Sequence, residues 1–204
     1  MSNQLPLALR WPAHQRFDGF KVGENGIAVD ALHRVVDEDA PSALYLAGPL
    51  GSGRTHLLIA TCAAAGEAGR SAQYLPLATL RGSDAPGSIR AFGGSHLLAL
   101  DDVDAIAGDP AAELALFDLY NRCRADGATL VFAGIAPPSQ IGLTLPDLVS
   151  RLSASTQILL KPLDETARRD LLRERAASRG VEIDDAVVDW LFAREKRDLA
   201  SLFA

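Results

Sequence analysis

Short apolar runs alternate along the chain with longer segments in which apolar residues recur at the spacing of a helix. The runs that we predict to be strands are Ala43 to Ala47, Ala72 to Leu77, Leu97 to Leu100, Thr129 to Ala133 and Thr156 to Leu160. Alternation of strands with helices is typical of a parallel sheet that helices cover on both faces. The sequence therefore predicts an α/β fold, in which the fifth run has the weakest strand pattern.

Capping and turn residues mark the ends of two of the predicted helices. One helix begins in the glycine-rich segment after the first strand and ends near Gly66 or Gly69. The other has Asp109 as its capping residue, Pro110 at its first position and Gly127 just past its end. These residue types favour those positions because they satisfy or tolerate the unpaired backbone groups of a helix end.

Only helical patterns follow residue 161. One helix is expected from Asp164 to Gly180 and a second from Asp184 onwards. The apolar side of the second helix is predicted to carry Val187, Val188, Leu191 and Phe192. We therefore expect a small helical domain over 162–204. Its apolar pattern still runs at Ala204, which is expected either of an incomplete lid or of a natural terminus that frays, and the sequence leaves both open.

The composition is that of a folded protein, with 48% hydrophobic residues and a formal net charge of −6. An acidic chain without a basic stripe is atypical of a stand-alone nucleic-acid binder, so any such role is expected to come through a partner. The longest apolar run, residues 57–65, is too short to cross a bilayer, and the first residues lack a signal-peptide pattern. We expect a cytoplasmic protein with no membrane partner, in which Cys62 and Cys123 are reduced core thiols.

A glycine-rich segment, GPLGSGRT at 48–55, follows the first strand and has the spacing of a phosphate-binding loop. In such a loop, glycines let backbone N–H groups surround a phosphate, a cation reaches the outer oxygens, and a hydroxyl holds Mg²⁺. The residues predicted to bind nucleotide here are Gly48, Gly51, Ser52, Gly53, Arg54 and Thr55. An ordinary turn is the alternative, but the strand before the loop and the long helix after it favour ADP or ATP binding with Mg²⁺. Arg54 replaces the usual lysine. Because its guanidinium is planar, it must contact the phosphate with a geometry different from that of a lysine ammonium.

Two carboxylates end the third strand. Asp101 is placed to hold Mg²⁺ together with Thr55. Asp102 is a candidate for polarising the attacking water, although its side chain is one methylene shorter than the glutamate that many ATPases of this type carry there. Two acidic residues after a strand can also form a solvated turn, and the upstream phosphate loop favours the functional interpretation.

Arg151 lies in the segment LPDLVSRL, residues 145–152. One interpretation is a plain surface arginine. The other is an arginine finger offered to the nucleotide of a neighbouring subunit, where a guanidinium stabilises the charge that develops on the γ-phosphate. The residues alone leave both interpretations open.

The chain opens with QLPLAL at 4–9, in which Pro6 disfavours a helix. In an extended segment, Leu5, Leu7 and Leu9 share one side. They either pack on their own domain or dock in an apolar groove of another protein.

In their order and spacing, these motifs resemble the Hda family of DnaA-related regulators in the AAA+ superfamily. Residues 4–9 resemble the sliding-clamp-binding peptide of that family, with Gln4, Leu5, Leu7 and Leu9 as its contact residues. Residues 16–20, which end in Phe20, and 23–25 resemble the segment around the adenine. Residues 145–152 resemble the motif that ends in the arginine finger, here Arg151, and Arg197 matches the nucleotide-sensing arginine of the helical lid.

The resemblance implies a five-stranded parallel sheet in an αβα sandwich, followed by a helical lid. It divides the chain into a clamp-binding tail at 1–12, an AAA+ nucleotide-binding domain at 13–161 and the lid at 162–204.

The resemblance also implies a role. Proteins of this family, held on DNA by the sliding clamp (the β subunit of DNA polymerase III), promote hydrolysis of the ATP bound to DnaA and so prevent re-initiation of replication. The implied location is the cytoplasm, at the nucleoid through the clamp, with DNA contacted only indirectly.

One departure from the family pattern concerns Ile135, which stands where the family senses the γ-phosphate with a polar or acidic side chain. Together with Arg54 and Asp102, it predicts little intrinsic ATPase activity. Two alternatives remain at this point: a self-contained AAA+ ATPase such as a helicase loader, and a fragment of a DnaA-like DNA-binding initiator. Self-association into a homo-oligomer is also left open.

Overall fold

The computed structural model describes residues 11–12, 14–37, 42–80 and 84–194. Two of the predicted functional regions lie outside these residues: the tail with Gln4, Leu5, Leu7 and Leu9, and the lid arginine Arg197. No helix within the described ranges is both long and apolar enough to span a membrane.

The predicted strands form one parallel five-stranded sheet. They are β1 (Ala43–Ala47), β2 (Ala72–Pro76), β3 (Leu97–Asp101), β4 (Thr129–Gly134) and β5 (Thr156–Leu159), in the order β2-β3-β4-β1-β5. All five strand predictions are confirmed to within a residue at each end. β5 is one of the two edge strands, and three of its four residues are exposed, which explains its weak apolar pattern.

Helices connect the strands and continue beyond the sheet. They are α1 (Gly26–Asp37), α2 (Arg54–Glu67), α3 (Ala85–Ala91), α4 (Pro110–Ala125), α5 (Pro146–Ser153), α6 (Glu165–Ser178) and α7 (Asp185–Arg194). The predicted start of α4 is confirmed, because the Asp109 carboxylate accepts hydrogen bonds from the N–H groups of Ala111 and Ala112 at 3.0 and 3.1 Å. α1 is a helix that the sequence patterns did not predict.

The sheet separates two apolar layers, as expected for strands that are buried on both faces. Neighbouring residues of β1 alternate between them: Tyr45 faces the layer formed with α3, α4 and α5, whereas Leu44 and Leu46 face the layer formed with α1 and α2. Cys62 and Cys123 are buried in opposite layers, and burial raises the pKa of Cys62 to about 12. Both cysteines are therefore core residues, as predicted.

The two helices after β5 bury a small cluster of their own, centred on Leu172, Val188 and Phe192. The prediction that Val187 shares this apolar side is wrong, because Val187 is 42% exposed. Successive side chains of a helix point about 100° apart, so Val187 and Val188 face different directions. The contact between two short helices is too narrow to bury both of them.

Candidate nucleotide-binding site

The loop between β1 and α2 has backbone geometry that only glycine accommodates. Gly53 has φ of 90°, and a Cβ added to it would lie 2.5 Å from the Phe20 ring. A Cβ on Gly48 would lie 2.6 Å from Oγ of Ser52 and 2.8 Å from Cβ of Leu160. No side chain caps α2 at Gly53, so the first N–H groups of a 14-residue helix face the loop. Such a helix end binds anions.

Ser52 supplies a further sign that the loop suits a polar ligand. Its hydroxyl oxygen is buried and makes no hydrogen bond to any described residue. A buried hydroxyl without a partner costs free energy, which a phosphate oxygen seated in the loop would offset.

Thr55 and Asp101 come together as the sequence predicts. The Thr55 hydroxyl donates to Oδ2 of Asp101 at 2.6 Å, and Asp101 is 1% exposed. The hydroxyl of Tyr74 also donates to Oδ2, at 2.9 Å, and the backbone N–H of Asp102 donates to Oδ1, at 2.9 Å. A hydroxyl and a carboxylate side by side are oxygen ligands of the kind that Mg²⁺ takes, so the residues fit the predicted metal.

Arg54 does not extend into open solvent from the loop. It is 6% exposed, and its guanidinium lies 3.4 Å from Oδ1 of Asp102 and 3.6 Å from Oδ1 of Asp104. Asp104 was not singled out from the sequence, although it is the second acidic residue after β3. Its Oδ1 also accepts the N–H of Ile135 at 2.9 Å. The positive charge of Arg54 is therefore balanced by carboxylates of the protein itself.

Asp102 is held in an unusual conformation at the end of β3. Its φ of 52° makes it the one residue other than glycine with a positive φ among the described residues. Burial raises the pKa of its carboxyl group, and the charge of Asp101 adds to that effect while Arg54 opposes it. This geometry directs the Asp102 side chain to Arg54.

A cavity of about 230 Å³ adjoins the loop and is formed by three parts of the chain. The segment before α1 contributes Gln15, Gly19, Phe20, Lys21 and Asn25, residues 50–56 contribute the phosphate loop, and the helical region contributes Leu163, Leu171 and Arg175. Phe20, the predicted adenine-packing residue, thus lines the same cavity as the loop. Arg175 was missed, because no local motif marks it.

Hydrogen bonds fix the segment before α1 against the rest of the site. The buried Asn25 amide donates to the Lys161 carbonyl and accepts from its N–H, both at 2.8 Å. The Phe20 ring lies 5.3 Å from the His56 ring, and Nε2 of His56 lies 2.8 Å from the Arg16 carbonyl. His56 showed no functional signal in the sequence beyond its place after the loop.

Arg151 is exposed on α5 and is not among the residues that line this cavity. The helix itself is well anchored, because Leu148 and Leu152 are fully buried. The start of α5 is also held by Glu113, a fully buried residue of α4 that sequence reasoning missed. Its carboxylate accepts the N–H groups of Thr144 and Leu145 at 2.8 and 2.7 Å.

Comparison with known proteins finds one matching family model and several solved structures of similar fold. Residues 164–204 match the family model "Hda, lid domain". Domain III of the replication initiation protein DnaA from Thermotoga maritima superposes with a TM-score of 0.77 at 21% identity, covering 95% of this chain and 86% of that one. AMPPCP-bound DnaA from Aquifex aeolicus gives 0.74 at 21% identity, covering 95% and 64%. The RuvB branch migration motor of Thermotoga maritima gives 0.63 at 19%, covering 94% and 62%.

These comparisons confirm the predicted fold and the resemblance to Hda-like AAA+ proteins. Nearly the whole chain superposes on the DnaA and RuvB structures, and residues 164–204 match the Hda lid model. This chain spans only 62% to 64% of the longer initiation-factor and DnaA chains that it matches.

Proposed function

From an AAA+ fold that carries an Hda-type lid, we propose that this protein is a nucleotide-binding regulator of DnaA. Held by the DNA sliding clamp, it promotes hydrolysis of the ATP bound to DnaA and so prevents re-initiation of replication. Its partners are DnaA and the clamp, and it contacts DNA only through the clamp. It acts in the cytoplasm, at the nucleoid.

The position of Arg151 carries this proposal. An arginine that served the protein's own nucleotide would line the cavity at the phosphate loop, and Arg151 does not. It is exposed on a helix whose start is tied to the core by Glu113 and whose apolar side is buried. An exposed guanidinium on a rigid element suits insertion into the site of another subunit, where it stabilises charge on the γ-phosphate.

The protein's own site is proposed to hold an adenine nucleotide with Mg²⁺ rather than to hydrolyse it. The A. aeolicus DnaA structure contains AMPPCP, in a fold that this chain shares. The loop glycines, Ser52, Thr55 and Asp101 have the geometry to bind phosphate and metal. Arg54, however, is held by Asp102 and Asp104, and the exposed apolar side chain of Ile135 cannot orient water.

Single-turnover hydrolysis tests the role of Arg151. ATP is pre-bound to DnaA, clamp is loaded on DNA, and this protein is added as wild type, Arg151→Ala or Arg124→Ala. Arg124 is an exposed arginine of α4 and serves as the matched control. We expect wild type and Arg124→Ala to accelerate hydrolysis, and Arg151→Ala to lose about 10³-fold or more of that acceleration. Equal acceleration by all three proteins would exclude Arg151 as the finger.

The tail is tested separately by binding to the clamp. Gln4→Ala combined with Leu7→Ala should abolish clamp binding in surface plasmon resonance while leaving the melting temperature unchanged. A wild-type protein that neither binds the clamp nor accelerates hydrolysis would refute the proposed function.

A further inference from the structure

Tyr74 joins the edge strand β2 to the site at the phosphate loop. Its hydroxyl donates to Oδ2 of Asp101 at 2.9 Å, although the two residues are 27 positions apart in the sequence. The register of the sheet explains this contact, because Tyr74 lies beside Ala99 and Pro76 lies beside Asp101. Side chains two positions apart on a strand share a face, so Tyr74 and Asp101 project from the same face of neighbouring strands.

The ring and the hydroxyl of Tyr74 have different surroundings. The ring packs against the apolar layer formed with α1 and α2, a contact that a phenylalanine ring would also make. The hydroxyl contacts the carboxylate of Asp101, which is 1% exposed and therefore has little access to water. Packing thus accounts for the ring, and the hydrogen bond to Asp101 is what the hydroxyl adds.

Hydrogen bonds fix the orientation of the Asp101 carboxylate. A carboxylate has about four acceptor positions, two on each oxygen. The hydroxyl groups of Thr55 and Tyr74 donate to Oδ2, at 2.6 and 2.9 Å, and the backbone N–H of Asp102 donates to Oδ1 at 2.9 Å. Within the part of the chain that the structure describes, these donors fill Oδ2 and leave one acceptor position on Oδ1. Asp101 therefore offers a metal ion, or a water bound to it, a single direction of approach.

We propose that Tyr74 is a positioning residue for the Mg²⁺ that accompanies the nucleotide, and that it acts through Asp101. This inference rests on the nucleotide and metal binding proposed above. Rotation of the Asp101 carboxylate about its Cβ–Cγ bond breaks the hydrogen bond from Tyr74, so the tyrosine keeps the remaining acceptor position of Oδ1 in one direction. Residues that hold a metal ligand without contacting the metal commonly contribute about 10- to 100-fold to metal affinity.

Equilibrium binding of ADP, measured by titration calorimetry with Mg²⁺ and with EDTA, tests the inference. The proteins compared are wild type, Tyr74→Phe and Tyr120→Phe. Tyr120 of α4 lies in the apolar layer on the other face of the sheet and is the matched control for removal of a tyrosine hydroxyl. With Mg²⁺, we expect the Kd of ADP to rise about tenfold in Tyr74→Phe and to stay at the wild-type value in Tyr120→Phe. With EDTA, all three proteins should bind ADP equally, which also establishes that Tyr74→Phe is folded.

A double variant tests whether Tyr74 acts through Asp101. In the background of Asp101→Asn, the change Tyr74→Phe should raise the Kd of ADP with Mg²⁺ by less than about twofold, because two residues that act through the same metal contact are not additive. A further tenfold rise in the double variant would overturn the positioning role.

The single variants separate failure of this inference from failure of the site. An ADP affinity of Tyr74→Phe equal to that of wild type with Mg²⁺, or a loss that is the same with EDTA, would overturn the inference while leaving the nucleotide site in place. Absence of ADP binding by the wild-type protein would overturn the site itself and the inference with it.

Discussion

The hydroxyl of Thr55 donates a 2.6 Å hydrogen bond to Oδ2 of Asp101 and so joins the start of α2 to the end of β3. The two residues are 46 positions apart in the sequence. They meet because the phosphate loop and the end of β3 lie at the same edge of a parallel sheet, where ligands of such folds bind. This pair is the part of the site that fits Mg²⁺.

Replacement of Asp101 should therefore affect the metal-dependent part of nucleotide binding. In Asp101→Asn, we expect the Kd of ADP with Mg²⁺ to rise about tenfold, because the neutral amide removes the negative charge that faces the metal. Without Mg²⁺, the variant and the wild type should bind ADP with similar affinity. Calorimetric titrations with Mg²⁺ and with EDTA measure both quantities.

Asp30→Asn is the control for this measurement, because Asp30 is an exposed residue of α1. It should behave as wild type in both buffers. A loss of ADP affinity in Asp101→Asn that is the same with EDTA would show that Asp101 shapes the loop and does not hold the metal.

The isolated protein should release phosphate from ATP at a negligible rate. The guanidinium of Arg54 lies 3.4 Å from Oδ1 of Asp102, and this ion pair competes with the contacts that the two side chains would make to a γ-phosphate and a water. A coupled phosphate assay at saturating ATP and Mg²⁺ gives the rate, with Asp101→Ala as the blank for contaminating activity. Turnover of about 1 s⁻¹ or faster that disappears in Asp101→Ala would favour the alternative of a self-contained ATPase.

The features that the sequence predicted are those set by local patterns. The central strands β1, β3 and β4 were found because a strand buried on both faces is continuously apolar, and the Thr55–Asp101 pair followed from where such strands end. The capping of α4 by Asp109 is equally local.

The features that the sequence did not predict depend on contacts between distant residues. Arg54 pairs with Asp104, which lies in the turn that begins at Asp102 with its positive φ. Arg175 reaches the cavity only because α6 packs beside the segment before α1, and no local motif marks its direction. The sequence patterns also gave no signal for the role of Glu113, since glutamate inside a helix is ordinarily a solvated residue.

Glu113 is expected to contribute strongly to stability. In Glu113→Gln, an NH₂ group replaces one carboxylate oxygen and would face either the N–H groups of Gly108 and Thr144 or those of Thr144 and Leu145, which the carboxylate now accepts. Leaving buried donors without an acceptor costs about 2 kcal/mol or more, which corresponds to a fall of roughly 4–8 °C in melting temperature. Calorimetry of the variant measures the fall.

Glu182→Gln is the matched control, because Glu182 is exposed between α6 and α7 and its substitution should leave the melting temperature unchanged. A melting temperature of Glu113→Gln within about 1 °C of wild type would mean that the loop before α5 is held by other contacts.

The stability of the fold should decrease as the pH falls below the ordinary pKa of histidine, and His56 should account for part of that decrease. Burial lowers the pKa of His56 in the folded protein, the hydrogen bond to the Arg16 carbonyl opposes this effect, and the charges of Arg175 and His14 add to it. Unfolded histidine titrates near a pKa of about 6.5, so below that pH the unfolded chain binds a proton that the folded chain excludes. The contribution of neutral His56 is therefore complete above about pH 6.5 and is lost on acidification.

Urea denaturation from pH 7.5 to 5.0 measures this contribution. The free energy of unfolding should depend less steeply on pH in His56→Gln than in wild type, because the other titrating groups contribute equally to both proteins and cancel in the difference. Parallel curves for the two proteins would show that His56 is protonated equally in the folded and unfolded states.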